Sequence, residues 1–213
     1  MTTATTAAEA YARYTEYLHA DRLVQSKWHD TAADGRALAC GLGVLGDSVS
    51  SPRDCPAEIM PRWLAQMVPW FFDGQTFENA KTWGEAFYAE LARLGGNVPF
   101  SVVHDWHATV VGPLAIERAE ARKGDVSAHR ALAEMQFSAL TGKKMTADEW
   151  RPILKAAFLD IYKFRYRADA NAYAYAYADA HAYAAANAHA KYRENIHRLA
   201  MGMVECLKRV EAV

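Results

Sequence analysis

From residue 168 to 190 the chain reads ADANAYAYAYADAHAYAAANAHA, with alanine at about every second position. As a strand this segment would put Tyr173, Tyr175, Tyr177, Asp179, His181 and Tyr183 on one face and alanine on the other. Alanine, however, is the best helix former and is depleted in strands, so the pattern predicts a helix. Helical rotation brings Leu159, Tyr162, Tyr166, Tyr173, Tyr177, Ala180 and Ala184 onto one stripe, an arc of about 60° at about 100° per residue. Steps of four and seven suit helix-on-helix packing, and small alanine faces allow close approach. That seam packs inside a helical bundle, or it meets a second copy in a homodimer or a partner protein.

The rest of the chain also reads as helices. Tyr11, Tyr14 and Leu18 form a stripe in a helix over residues 6–23. Residues 26–58 are rich in Gly, Ser, Asp and Pro, which predicts turns around one short apolar helix at 36–45. Glycines at that density weaken a helix and imply close approach of another backbone. In DCPAEIMPRWLAQMVPWFFDG (54–74), Pro56 and Pro61 each suit a first helical turn, and Val68-Pro69 predicts a stop. A helix over 76–94 is capped by Thr76 and ended by Gly95-Gly96. Others run from Ser101, bent at Gly112-Pro113, and from Ser127 to Leu140. A last one opens on the capping box Thr146…Glu149. The sum is an all-α, multi-helix bundle with a long Ala/Tyr-rich C-terminal helix. It divides into an N-terminal region, 1–125, and a C-terminal region, 126–213, or forms one continuous domain.

Charge limits the function. Residues 1–125 carry 11 basic against 16 acidic side chains, a net of −5, and residues 126–213 carry 13 against 9, a net of +4. Neither half has the basic footprint of a sequence-specific DNA binder, which disfavours nucleic acid as a partner. The short run Lys163, Arg165, Arg167 among aromatics fits a solvated helix face. No apolar run is long enough to span a membrane, and the start lacks the basic-then-apolar order of a signal peptide, so a cytoplasmic protein is expected. Cys40, Cys55 and Cys206 form no CxxC pair, as in a reducing compartment.

Three constellations invite chemistry. His104 and His107, at i and i+3, could ligate one metal ion with a third ligand from His29, Asp30 or Cys55, but they lack the general-base Glu of HExxH. Cys40 with His29 is a conceivable nucleophile pair, yet its apolar setting would raise the thiol pKa. GLGVLG (41–46) lacks the strand and the Lys-Ser/Thr of a phosphate loop. No cofactor is expected and no residue is assigned a catalytic role. The sharper feature is aromatic: Trp63, Trp70, Phe71 and Phe72 form either a core plug or an exposed anchor for a partner.

The blocks Trp28-His29, GRALACGLGVLG and SPRDCPAEIMPRWLAQMVPWFFDG, together with the Ala-rich tail, resemble uncharacterised proteins encoded by bacteriophages and prophages. The resemblance covers about half of the chain, and the DCPAxxMPxWLA block is its most specific part. It carries over no catalytic residue. It implies a phage-encoded, host-directed binding protein. The lack of a catalytic constellation, the aromatic block and the tyrosine seam add the expectation of a non-enzymatic protein in the host cytoplasm that binds a host or phage protein. The expected action is inhibition of a host complex, such as a bacterial defence target in the manner of an anti-CRISPR, by steric occlusion. Its contact residues would be Trp63, Trp70, Phe71, Phe72, Tyr166, Tyr173 and Tyr177. The alternative is a metal-dependent hydrolase using His104 and His107.

Overall fold

A computed structural model describes the backbone of residues 2–121, 123–159 and 178–212, and the side chains of all of these except 178–189. The described chain is mostly helical, with one two-stranded antiparallel sheet, and a long helix closes it, as expected. In chain order the elements are α1 (Ala7–His19), β1 (His29–Thr31), β2 (Ala37–Ala39), α2 (Arg62–Ala65), α3 (Val68–Asp73), α4 (Phe77–Arg93) and α5 (Ser101–Trp106). They continue with α6 (Gly112–Ala121), α7 (Ser127–Leu140), α8 (147–159) and α9 (Ala178–Lys208). No helix among the described residues is long and apolar enough to cross a membrane. The chain forms two compact units, Met1–Pro99 with Lys191–Val213, and Phe100–Ala190. This division differs from the expected boundary at 125/126, because the chain's end returns to the unit built by its beginning.

In the first unit α1 lies against α4. Thr6 caps α1, its hydroxyl accepting from the Glu9 N–H. The buried face of α1 is Ala7, Ala10, Tyr14 and Tyr17, rotated from the expected Tyr11–Tyr14–Leu18 stripe so that only Tyr14 is shared. Two small alanines let α1 sit close, and Tyr14 then reaches across to α4. Thr76 caps α4, and Gly95 and Gly96, at φ +58° and +80°, end it, with the Gly96 N–H donating to the Leu91 carbonyl at 3.0 Å. Both ends match the expectation, since caps are local chemistry.

The predicted helix at 36–45 is absent. β1 pairs with β2 instead, in the register His29–Ala39, Asp30–Leu38 and Thr31–Ala37, and only Gly43–Leu45 make a 3₁₀ turn. Close backbone approach explains it. A Cβ at Gly43 would overlap the Trp28 carbonyl, and one at Gly46 would lie 2.7 Å from Thr3 Cα. Pro69 does not end a helix either. It sits in the first turn of α3, where its missing N–H leaves no bond unmade. That places Trp70, Phe71 and Phe72 on a helix.

α9 docks in the first unit through Ile196, Ala200, Met203, Val204 and Leu207, all buried. The Trp83 indole N–H donates to the Ala200 carbonyl at 3.1 Å, and Arg93 caps the helix end by donating to the carbonyls of Leu207 (2.8 Å) and Val210 (3.0 Å).

In the second unit, α5 runs into a π-helical turn, His107–Val111, before α6. The Gly112 N–H bonds to the His107 carbonyl, five residues back. Pro113 follows directly, and a regular helix would drive its ring into the carbonyl four residues earlier. The wider turn removes that clash, so the helix is irregular where the sequence places Gly112-Pro113. Gly112 also packs on Ala133 of α7, whose β-carbon would lie 2.8 Å from an added Cβ. The α8 capping box closes reciprocally: the Thr146 N–H donates to Glu149 Oε2 at 2.7 Å, and the Glu149 N–H donates to Thr146 Oγ1 at 3.4 Å. Ser101 opens α5 as its first helical residue rather than as its cap.

Candidate functional site

The aromatic block divides as three successive helical residues must. Phe71 and Phe72 are fully buried, Trp70 is 41% exposed, and Trp63 is half-buried. Phe71 and Phe72 are therefore core residues, which corrects their assignment to a contact surface. Trp70 is not isolated. Its indole N–H donates to the Tyr192 hydroxyl at 3.3 Å, and Tyr192, in the first unit's part of α9, is itself 50% exposed. Inward, Trp70 leans on Phe71 (centroids 5.1 Å apart), Phe71 meets Trp83 edge-on (5.6 Å), and Trp83 stacks on Phe87 (4.9 Å). Phe87 meets Tyr88 (5.5 Å), and Tyr88 stacks on Tyr14 (5.1 Å). The exposed indole is thus the outer rung of a ladder of rings reaching into the core, and its neighbours hold its rotamer.

Beneath it lies a polar strut. Gln75 is fully buried; its amide donates to the Phe71 carbonyl at 2.8 Å, and its Oε1 accepts from His197 Nδ1 at 2.6 Å. Gln25 donates to the carbonyls of Phe72 (2.5 Å) and Gln75 (3.3 Å). These bonds pin the end of α3 to α9 and so fix the distance between Trp70 and Tyr192. Tyr192, Gln75 and His197 escaped the sequence reading, because the first is more than a hundred positions from Trp70 and glutamine carries no periodic signal. Tyr162, Tyr166, Tyr173 and Tyr177 of the predicted seam lie outside the described residues, as do the basic run 163–167 and the side chains of Ala180, Ala184, His181 and His189.

The histidine pair belongs to the second unit. His104 Nδ1–H donates to Oε1 of Gln136, a nearly buried residue of α7, at 2.7 Å. Phe100 meets the same imidazole edge-on, with centroids 5.5 Å apart, and Trp150 of α8 lies almost parallel to it, 18° between planes and 6.2 Å between centroids. His107, one turn on, packs edge-on against Trp106, and burial, then the nearby His104, lowers its pKa. Among the described residues no three His, Cys, Asp or Glu side chains are grouped as metal ligands. His29, offered as a third ligand, belongs to the first unit, with its Nε2 2.9 Å from the Val49 carbonyl.

The thiols sit as their apolar settings imply. Burial raises the Cys40 pKa and pushes that of Cys55 up to about 12, so neither carries the thiolate a nucleophile needs. No protein-family model matches the chain, and no curated protein or solved structure matches it.

Proposed function

We propose that this chain is a non-enzymatic interaction protein, of the kind phages direct at a host complex. It would inhibit a target such as a bacterial defence assembly by covering a working surface, and it would act in the host cytoplasm. The observation that carries the reading is the exposed Trp70–Tyr192 pair, held at one end by the aromatic ladder and underneath by Gln75 and His197. Tryptophan and tyrosine dominate the energetic centres of protein interfaces, since each buries a large area. A ring already fixed in place loses little conformational entropy on binding. A partner offering an apolar pocket ringed by hydrogen-bond acceptors would take the indole face and the tyrosine hydroxyl together.

The test replaces Trp70 and Tyr192 with Ala, together and singly, and measures capture of host proteins by the tagged full chain. Phe71 is left intact because its loss would damage the core. A partner bound by the parent should be lost or weakened by at least about 2 kcal/mol in the Trp70→Ala chain, with circular dichroism unchanged. A partner held equally by parent and variants rejects this surface.

A further inference from the structure

The second unit holds a cavity of about 510 Å³ lined by His104, Ala139, Gly142, Lys143, Lys144, Met145 and Trp150. Its volume lies in the range of small-molecule sites. His104 and Trp150 have near-parallel rings whose centroids stand 6.2 Å apart. A flat ring between two others needs about 7 Å, two carbon contacts of roughly 3.5 Å each. The centroid separation, an upper bound on the spacing of the two planes, falls short of that by at least about 0.8 Å, so the rings must part to admit one. His104 is oriented for the role: buried Gln136 holds its Nδ1, which leaves Nε2 on the opposite edge of the ring for a ligand. Lys143 and Lys144 lie exposed on the loop between α7 and α8, beside Gly142 at φ +91°. Glu149, at the start of α8, accepts from the Thr146 N–H and hydroxyl, which lower its pKa, and the Lys143 charge lowers it further, so this carboxylate offsets part of the loop's positive charge.

We propose that this cavity binds a mononucleotide, its base held between His104 and Trp150 and its phosphate by Lys143 and Lys144. Base-on-aromatic stacking tolerates any base, since every base presents a π face, so purine and pyrimidine should both enter. The clamp opens by a small displacement of α8 relative to α5, for which the 141–146 loop with its glycine is suited. The site is independent of the Trp70 surface, which belongs to the other unit.

Calorimetry on the full chain with AMP, UMP, adenosine and inorganic phosphate tests it. AMP or UMP should bind at least tenfold more tightly than adenosine or phosphate alone. Trp150→Ala should weaken the nucleotide at least tenfold. A Lys143→Ala/Lys144→Ala double variant, confined to an exposed loop, should bring nucleotide affinity down to that of adenosine and still fold. Neither nucleotide binding, nucleotide binding no tighter than phosphate, or affinity unchanged in the lysine variant would each overturn the assignment.

Discussion

The hydroxyl of Tyr14 occupies the space a side chain at position 84 would take. A Cβ on Gly84 would overlap the Tyr14 phenol, whose hydroxyl donates to the backbone carbonyls of Ala80 (3.2 Å) and Lys81 (3.1 Å) on α4. Burial, and then the charge of Glu85, raises the Tyr14 pKa far above the ordinary value, so the group stays a neutral donor. One missing methyl on α4 is what lets α1 lock onto it.

Gly84→Ala should therefore destabilise the fold by about 1–3 kcal/mol, the usual effect of overpacking, although alanine is the better helix former by about 1 kcal/mol. Because the overlap is with the phenol end, Tyr14→Phe in the Gly84→Ala background should relieve part of the loss. Urea midpoints for the four chains of this cycle provide the check. Losses that merely add would refute a direct clash.

Native Cys55 and Cys40 should resist alkylation. With its pKa near 12, Cys55 has almost no thiolate at pH 8, where an ordinary thiol near 8.5 is about a quarter ionised. Iodoacetamide labelling followed by peptide mass spectrometry should show both sites at least about a hundredfold slower than in the urea-unfolded chain. Fast native labelling of Cys55 would mean that its pocket opens readily.

Acid should weaken the second unit through His107. Burial depresses its pKa below the ordinary value of 6.5, so the folded form holds it neutral while the unfolded chain takes up a proton. Its contribution is intact above about pH 6.5 and is lost as pH falls from there toward the lower folded-state value. His197 has the same sign in the first unit, again from burial. The melting temperature should drop between pH 7.5 and 5.5, and His107→Gln should make that drop smaller. An equal drop in the variant would remove His107 as a cause.

Local chemistry made much of the architecture legible from residue types. Thr6, Thr76 and the Thr146–Glu149 box mark helix starts because a cap bonds within its own first turn. Gly95-Gly96 marks a stop because only glycine takes those two positive φ values cheaply. An irregularity at Gly112-Pro113 was readable for the same reason, since proline's missing N–H and bulky ring act within one turn, and it takes the form of the π-helical turn. Alanine's preference for helix likewise agrees with the start of α9 at Ala178.

What the sequence could not decide was anything resting on a partner distant along the chain. Nothing local tells Trp70 from Phe71, yet one meets Tyr192 at the surface and the other meets Trp83 in the core. Nothing local pairs Ala37–Ala39 with β1 instead of coiling it, or sets His104 against Gln136 and Trp150. Helix identity follows from backbone preferences within a few residues, whereas exposure, ring partners and the cavity at His104 exist only once separate helices are packed.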